Sequence, residues 1–215
     1  MNYETRVVCF IDILGFQSIL DKTISINGSD IVANINLLSE ALSSMEENLN
    51  SVCKSDSTTT RITQFSDSVV ISFLCDEKDG IWNVLLAIQR MIIELAYREI
   101  LCRGGITLGK MIHTEKLLFG PALVDAYILE SKAANYPRII LGDSVLALSE
   151  MYYDESSFSK IISLYPALPK KALSNLSRSE AETFLDQDSD GMYFIDYFTH
   201  DKMRLKRFEF SYLTT

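Results

Sequence analysis

Residues 5 to 12, TRVVCFID, form a short, β-branched, almost wholly apolar run that ends in a carboxylate. Such a run is too short for a buried helix and reads as a strand covered on both faces, so other elements must sandwich it. The next residues, ILGFQSIL, turn into a short helix, and Gly15 supplies the turn. A carboxylate at the end of a buried strand is costly unless it meets a cation or a hydrogen-bond donor. Asp12 is therefore the first residue whose presence asks for a partner.

The rest of the chain supplies the cover. Ile31, Ile35, Leu38, Leu42, Met45 and Leu49 recur every three or four residues, which predicts a helix from Asp30 to about Val52 with Asp30 as its cap. RITQF and SVVISF predict two strands of a hairpin broken at Ser66-Asp67. Ile81, Val84, Leu85, Ile88, Met91, Ile92 and Leu95 predict a second helix over 80–98. LCRGGITLG is strand-like, and its glycine pair admits a close backbone. MIHTEKLLFG reads as an irregular arm or hairpin, 121–134 as a helix, PRIILG as a short strand, and DSVLALSEMY as a helix capped by Asp143. Beyond about residue 152 the pattern weakens until a final strand, MYFIDYF.

The order β-α-α-β-β-α-β-α-β-α, with one hairpin in the middle, predicts an α+β fold: a ferredoxin-like mixed sheet with helices packed on it. Residues 1–151 are expected to form one domain and 152–215 a C-terminal extension packed on it. With 215 residues, 47% of them apolar, the chain can bury a sizeable core. No apolar run reaches the roughly 18 residues of a membrane span, and MNYETR lacks the pattern of a signal peptide. The net charge of −9 argues against broad binding to nucleic acid or an anionic membrane. Cys9, Cys53, Cys75 and Cys102 form no CxxC pair, and three of them lie in apolar runs as small core residues. A cytoplasmic protein with reduced thiols is expected.

Asp12 and Asp67 are the residues that promise chemistry. The end of the first strand and the turn of the neighbouring hairpin can lie side by side, and two adjacent carboxylates call for a cation between them. Oxygen ligands favour a hard ion such as Mg²⁺ or Mn²⁺, and two such ions can clamp a triphosphate. The amides of Leu14, Gly15 and Phe16 enter a helix, where an anion binds favourably. Taken alone, each aspartate also fits a helix cap or a turn.

Five motifs in order resolve that ambiguity. FIDILGF, QFSDSVVISF, RGGITLG, FGPALVDAYILESKA and PRIIL, spanning residues 5 to 142, resemble the metal motifs, strands and interface helix of class III nucleotidyl cyclases. The resemblance implies that Asp12 and Asp67 hold two divalent ions with the Ile13 carbonyl. It implies that the Leu14–Phe16 amides hold the terminal phosphates, and that a homodimer builds its sites between subunits. Two departures are informative. The family's base-reading positions fall on Thr63 and Leu117, which match neither the adenine nor the guanine pattern, and Arg61 lies two residues before Thr63 on the same strand face. The family's transition-state Asn and Arg fall on Val124 and Ile128, leaving Arg103, Lys110, Lys132 and Arg138 as candidate cations.

The compact form and the absent purine pair are similar to the pyrimidine cyclases of the Pycsar anti-phage systems. That resemblance implies a substrate UTP or CTP, with UTP preferred, and a cyclic UMP or cyclic CMP product acting on a separate effector protein. A catalytically silent nucleotide-binding or dimerisation module and a purine cyclase are the alternatives. DQDSDG at 186–191 matches the start of a calcium loop but has Tyr197 at its twelfth position, so a turn is expected. Gly104-Gly105 lacks the acidic pair of a diguanylate cyclase. His113 and His200 read as surface or loop histidines, and Tyr152, Tyr153 and Phe158 as core of the tail.

Overall fold

The computed structural model describes residues 1–53, 59–77, 80–151 and 185–197. Strand β1 (Glu4–Ile13) leads into a one-turn helix α1 (Phe16–Asp21) and a long helix α2 (Val32–Cys53). The hairpin β2 (Arg61–Phe65) and β3 (Ser68–Leu74) is followed by α3 (Gly80–Ala96). Then come β4 (Cys102–His113), the short return strand β5 (Leu118–Phe119), α4 (Pro121–Ala133), β6 (Ile139–Leu141) and α5 (Asp143–Met151). A last hairpin, β7 (Leu185–Gln187) and β8 (Tyr193–Ile195), completes the described elements.

The strands form one mixed sheet in the order β2-β3-β1-β4-β6-β8-β7, with β5 paired to β4. β1 lies between β3 and β4, antiparallel to both, while β4 and β6 run parallel. This is the α+β mixed sheet that the sequence predicts.

Period-two alternation in β1 gives the sheet two unlike faces. Val7, Cys9, Ile11 and Ile13 join Val69, Ile71 and Phe73 in the main core, closed by Met45 and Leu49 of α2, by Ile88, Met91, Ile92 and Leu95 of α3, and by Val145 and Leu148 of α5. The opposite face has a small cluster of its own, Val8, Val70, Met111, Ala122 and Ala126, rimmed by Phe10, Leu118 and Leu123. Among the described helices α4 packs there, touching β4 and β1. It comes close because β4 carries Gly105 beneath it: a Cβ there would stand 2.5 Å from the Ala126 carbonyl oxygen. Cys9, Cys75 and Cys102 are free and buried, and burial pushes their thiols up, as befits inert core residues. No described helix is long and apolar enough to cross a membrane.

The structure corrects several local expectations. Asp30 does not cap α2; it bridges to Ile24, and the Ile31 carbonyl receives the first amides of the helix. Asp143 lies inside the first turn of α5, and Gly142 takes the capping place. The strand begun by LCRGGITLG continues without a break through His113, so the predicted arm is the end of β4 turning back into β5. β7 was not foreseen; Asp186 and Gln187 of DQDSDG lie in it, and the remaining DSDG forms the turn to β8. The readings of Cys53, Tyr152, Tyr153, Phe158 and His200 concern side chains outside the described residues.

Candidate functional site

Asp12 is the last inward residue of β1 on the α4 side. In the sheet register it faces Ser68 on β3 and Arg103 on β4. The β2–β3 turn has two residues, Ser66 and Asp67, with Ser66 at φ 54°, as tight hairpins demand at such a position. The Ile13 amide donates to the Asp67 carbonyl at 3.2 Å, which fastens the hairpin tip to the end of β1. The carboxyls of Asp12 and Asp67 meet there, as the sequence suggested. Ser68 Oγ donates to Asp12 Oδ1 at 2.8 Å. Burial, and then the neighbouring Asp67 charge, hold the Asp12 carboxyl above its ordinary range against the opposing pull of Ser68 and Arg103.

Two adjacent carboxyls, with Asp12 held above its ordinary range partly by the Asp67 charge, form a donor set that suits a hard divalent cation. No group of three or more metal-binding side chains is found among the described residues, so phosphate oxygens and water would complete any coordination shell. Beyond Asp12, the Leu14 amide is committed to the Leu101 carbonyl at 2.8 Å and is not free for an anion, contrary to the sequence expectation. The amides of Gly15 and Phe16 have no acceptor among the described residues, and Gly15 sits in the left-handed region at φ 69°.

The four candidate cations separate. Arg103 flanks Asp12 and forms an ion pair with the deeply buried Glu130 of α4. Burial raises the Glu130 carboxyl, and the Arg103 charge opposes that rise. The Arg138 guanidinium is engaged elsewhere, although its carbonyl accepts from the Gly104 amide beside Arg103. It is buried and clamped by Asp188 (2.6 Å) and Asp190 of the β7–β8 turn, so it serves the fold. Lys110 and Lys132 are exposed on β4 and on the last turn of α4. Val124 and Ile128 are exposed on the outer side of α4, together with Asp125 and Tyr127, and the Tyr127 ring meets Phe10 edge-on.

A second centre lies further along the same face. Arg61 and Leu117 line one cavity of about 800 Å³, together with Glu4, Arg6, Thr59 and His113. Thr63 joins it through His113, whose Nε2 stands 2.9 Å from Thr63 Oγ1. Sequence reasoning missed His113. It is buried at 4% exposure, and its Nδ1 lies 2.8 Å from Ser72 Oγ. Arg6 is also buried: its Nε donates to Ser72 Oγ at 2.8 Å, and its Nη1 pairs with Glu4 at 2.6 Å. Burial and the charges of Arg6 and Arg61 push His113 down to about 4, so the ring is neutral at pH 7. The signal in the sequence was the apolar pair Met111-Ile112 just before His113, which extends the strand into the stretch read as an irregular arm.

No protein-family model and no curated protein matches this chain. Solved structures do. The catalytic core of a rhodopsin-guanylyl cyclase with converted specificity, in complex with ATPαS, is 20% identical over 69% of this chain and 82% of its own, with a TM-score of 0.52. A bacterial light-regulated adenylyl cyclase is 18% identical over 68% of this chain, with a TM-score of 0.50. A class III adenylyl cyclase-like ATP-binding protein from Pseudomonas aeruginosa is 14% identical over 84%, with a TM-score of 0.51. The match spans 45% of the light-regulated cyclase and 39% of the Pseudomonas protein. The chain thus has the class III nucleotidyl cyclase fold.

Proposed function

We propose that this protein is a nucleotidyl cyclase that converts a pyrimidine nucleoside triphosphate, UTP in preference to CTP, into its 3′,5′-cyclic monophosphate and pyrophosphate. The observation that carries the reading is the meeting of the Asp12 and Asp67 carboxyls at the end of β1, in a fold of the cyclase class. These two residues, with the Ile13 carbonyl, would hold two divalent ions, Mn²⁺ or Mg²⁺. Such ions supply positive charge to the reacting phosphate and favour ionisation of the attacking hydroxyl. The ribose 3′-hydroxyl attacks the α-phosphorus, and pyrophosphate leaves. The Gly15 and Phe16 amides receive terminal phosphate oxygens. Arg103, which flanks Asp12 and is positioned by Glu130, would face the developing charge.

The base is read at the cavity bounded by Arg61 and Leu117. Glu4 and Arg6, which line that cavity, precede Asp12 by eight and six residues on one extended strand. At about 3.3 Å per residue that is a separation of roughly 20–26 Å. The length favours a site shared between two copies, with the metal-binding end of one facing the base-binding cavity of the other. Val124, Tyr127 and Ile128 on α4 and Phe65 at the hairpin, all exposed and apolar, are the surface a second copy would cover. The cyclic nucleotide acts as a messenger to a separate effector in anti-phage defence, the role implied by the likeness of FIDILGF and its companion motifs to Pycsar cyclases.

The test is to incubate the purified protein with ATP, GTP, CTP and UTP in turn, with Mn²⁺ or Mg²⁺, and to identify products by mass. Cyclic UMP is expected, falling to background in Asp12→Ala and Asp67→Ala. Cyclic AMP or cyclic GMP overturns the pyrimidine assignment. A second reading, a nucleotide-binding module without chemistry, is favoured by the apolar Val124 and Ile128 where the resemblance expects charge-stabilising groups. Binding without turnover of any nucleotide establishes it.

A further inference from the structure

Four side chains from four strands form an unbroken hydrogen-bond chain: Arg6 on β1, Ser72 on β3, His113 on β4 and Thr63 on β2. Its direction can be worked out from one end. The Arg6 guanidinium only donates, so Ser72 Oγ must accept from Nε. Ser72 is fully buried, and its hydroxyl proton finds a single acceptor among the described residues, His113 Nδ1 at 2.8 Å. Were Nδ1 protonated instead, a buried hydroxyl would lose its only acceptor among the described residues and bear the desolvation penalty of an unsatisfied group. The neutral ring therefore carries its proton on Nε2, and Nε2 donates to Thr63 Oγ1. With that oxygen engaged as acceptor, the Thr63 hydroxyl proton is free to point away from His113. Thr63 is half-buried beside Arg61, on the same face of β2, and His113 and Arg61 both line the cavity.

We propose that this relay sets Thr63 as a hydrogen-bond donor towards the bound base, so that the site selects a base edge bearing a carbonyl oxygen over one bearing an amino group. Among pyrimidines this means uracil over cytosine. The inference rests on the nucleotide-binding reading given above and deepens it from substrate class to the group recognised. A site in which Thr63 merely filled space would not distinguish a carbonyl from an amino group. The opposite polarity, with Nδ1 protonated and Thr63 donating to Nε2, would present an acceptor and reverse the preference.

Two measurements test the proposal separately from the cyclase reading. The chain has two histidines, so the ring ¹⁵N spectrum of the full-length protein is readily assigned by comparison with His113→Gln. The relay predicts the Nε2–H tautomer for His113 in protein without nucleotide, and the Nδ1–H tautomer overturns it whatever the activity. Equilibrium binding of UTP and CTP with Mn²⁺ is then compared in wild type, Thr63→Val and Thr63→Ser. Wild type is expected to favour UTP. Thr63→Val, which keeps the shape and removes the donor, should weaken UTP binding about tenfold more than CTP binding. Thr63→Ser should restore the preference. Equal weakening of both nucleotides, or a wild-type preference for CTP, overturns the proposal. Selective UTP binding without turnover supports the relay and counts against the cyclase reading alone.

Discussion

On one side of β1, Val7, Cys9, Ile11 and Ile13 join the main core; on the other, Arg6 and Asp12 place a charge at either end of the apolar pair Val8 and Phe10. The same ten residues thus serve two kinds of interior. The first is closed by three helices and relies on apolar burial, which has no direction and tolerates no void. The second is covered in part by α4, and its polar groups each have a named partner: Ser72 for Arg6, Ser68 for Asp12, Glu130 for Arg103. The packed face holds the sheet in shape, and the open face carries the polar and charged groups of the proposed site.

Substitutions can break that comparison, and the largest expected effect is on the packed face. Ile88 is fully buried between α3 and the sheet, so Ile88→Ala should cost about 2–5 kcal/mol in chemical denaturation. The specific activity of the fraction that remains folded should be unchanged. On the open face the sign reverses. Because the Asp12 carboxyl lies above its ordinary range, the metal-free folded state binds that proton more tightly than the unfolded chain does. The Asp12 contribution to stability is therefore present at low pH and lost as pH rises through its titration. Asp12→Asn should raise the melting temperature of metal-free protein at pH 7 by a few degrees while cyclase activity disappears.

A smaller effect separates the two centres of the open face. His113 is held down at about 4 against an ordinary value of 6.5. The unfolded chain takes up its proton first as pH falls, so the His113 contribution is full above about 6.5 and is lost on descending towards 4. Asp12 acts in the opposite direction over the acid range. Denaturation curves of metal-free protein between pH 7 and 4 should show His113→Gln with a shallower acid loss than wild type. Asp12→Asn should show a steeper one.

What the sequence made legible follows the same division. Helix and strand periodicity located the packed face, because apolar spacing is local information: all seven residues named for α3 are buried. The meeting of Asp12 and Asp67 was also readable, since a two-residue turn leaves a hairpin tip few places to go. The His113 relay was not, because its four members lie far apart in the chain and only the sheet brings them together. Nor was the fate of Arg138, whose partners come some fifty residues later. Asp30 and Asp143 failed as caps because helix ends are set by where backbone carbonyls land, a matter of one residue either way.

The Arg138 clamp has a consequence for the order in which the molecule is completed. Residues 185–197 close the sheet beyond β6, and three ties hold them: Arg138 to Asp188 and Asp190, Tyr197 Oη to the Pro137 carbonyl at 2.6 Å, and Gln89 Nε2 to the Asp196 carbonyl at 2.5 Å. A ribosome that has emitted only the first 151 residues has made both aspartates, the cavity lined by Arg61 and His113, and α4, yet β6 still lacks its β8 partner and the Arg138 guanidinium lacks its counter-ions. Until the last hairpin arrives, the nascent chain carries a strand open to pairing with a neighbour. The late segment covers that edge with β8 while contributing no described residue to the proposed site.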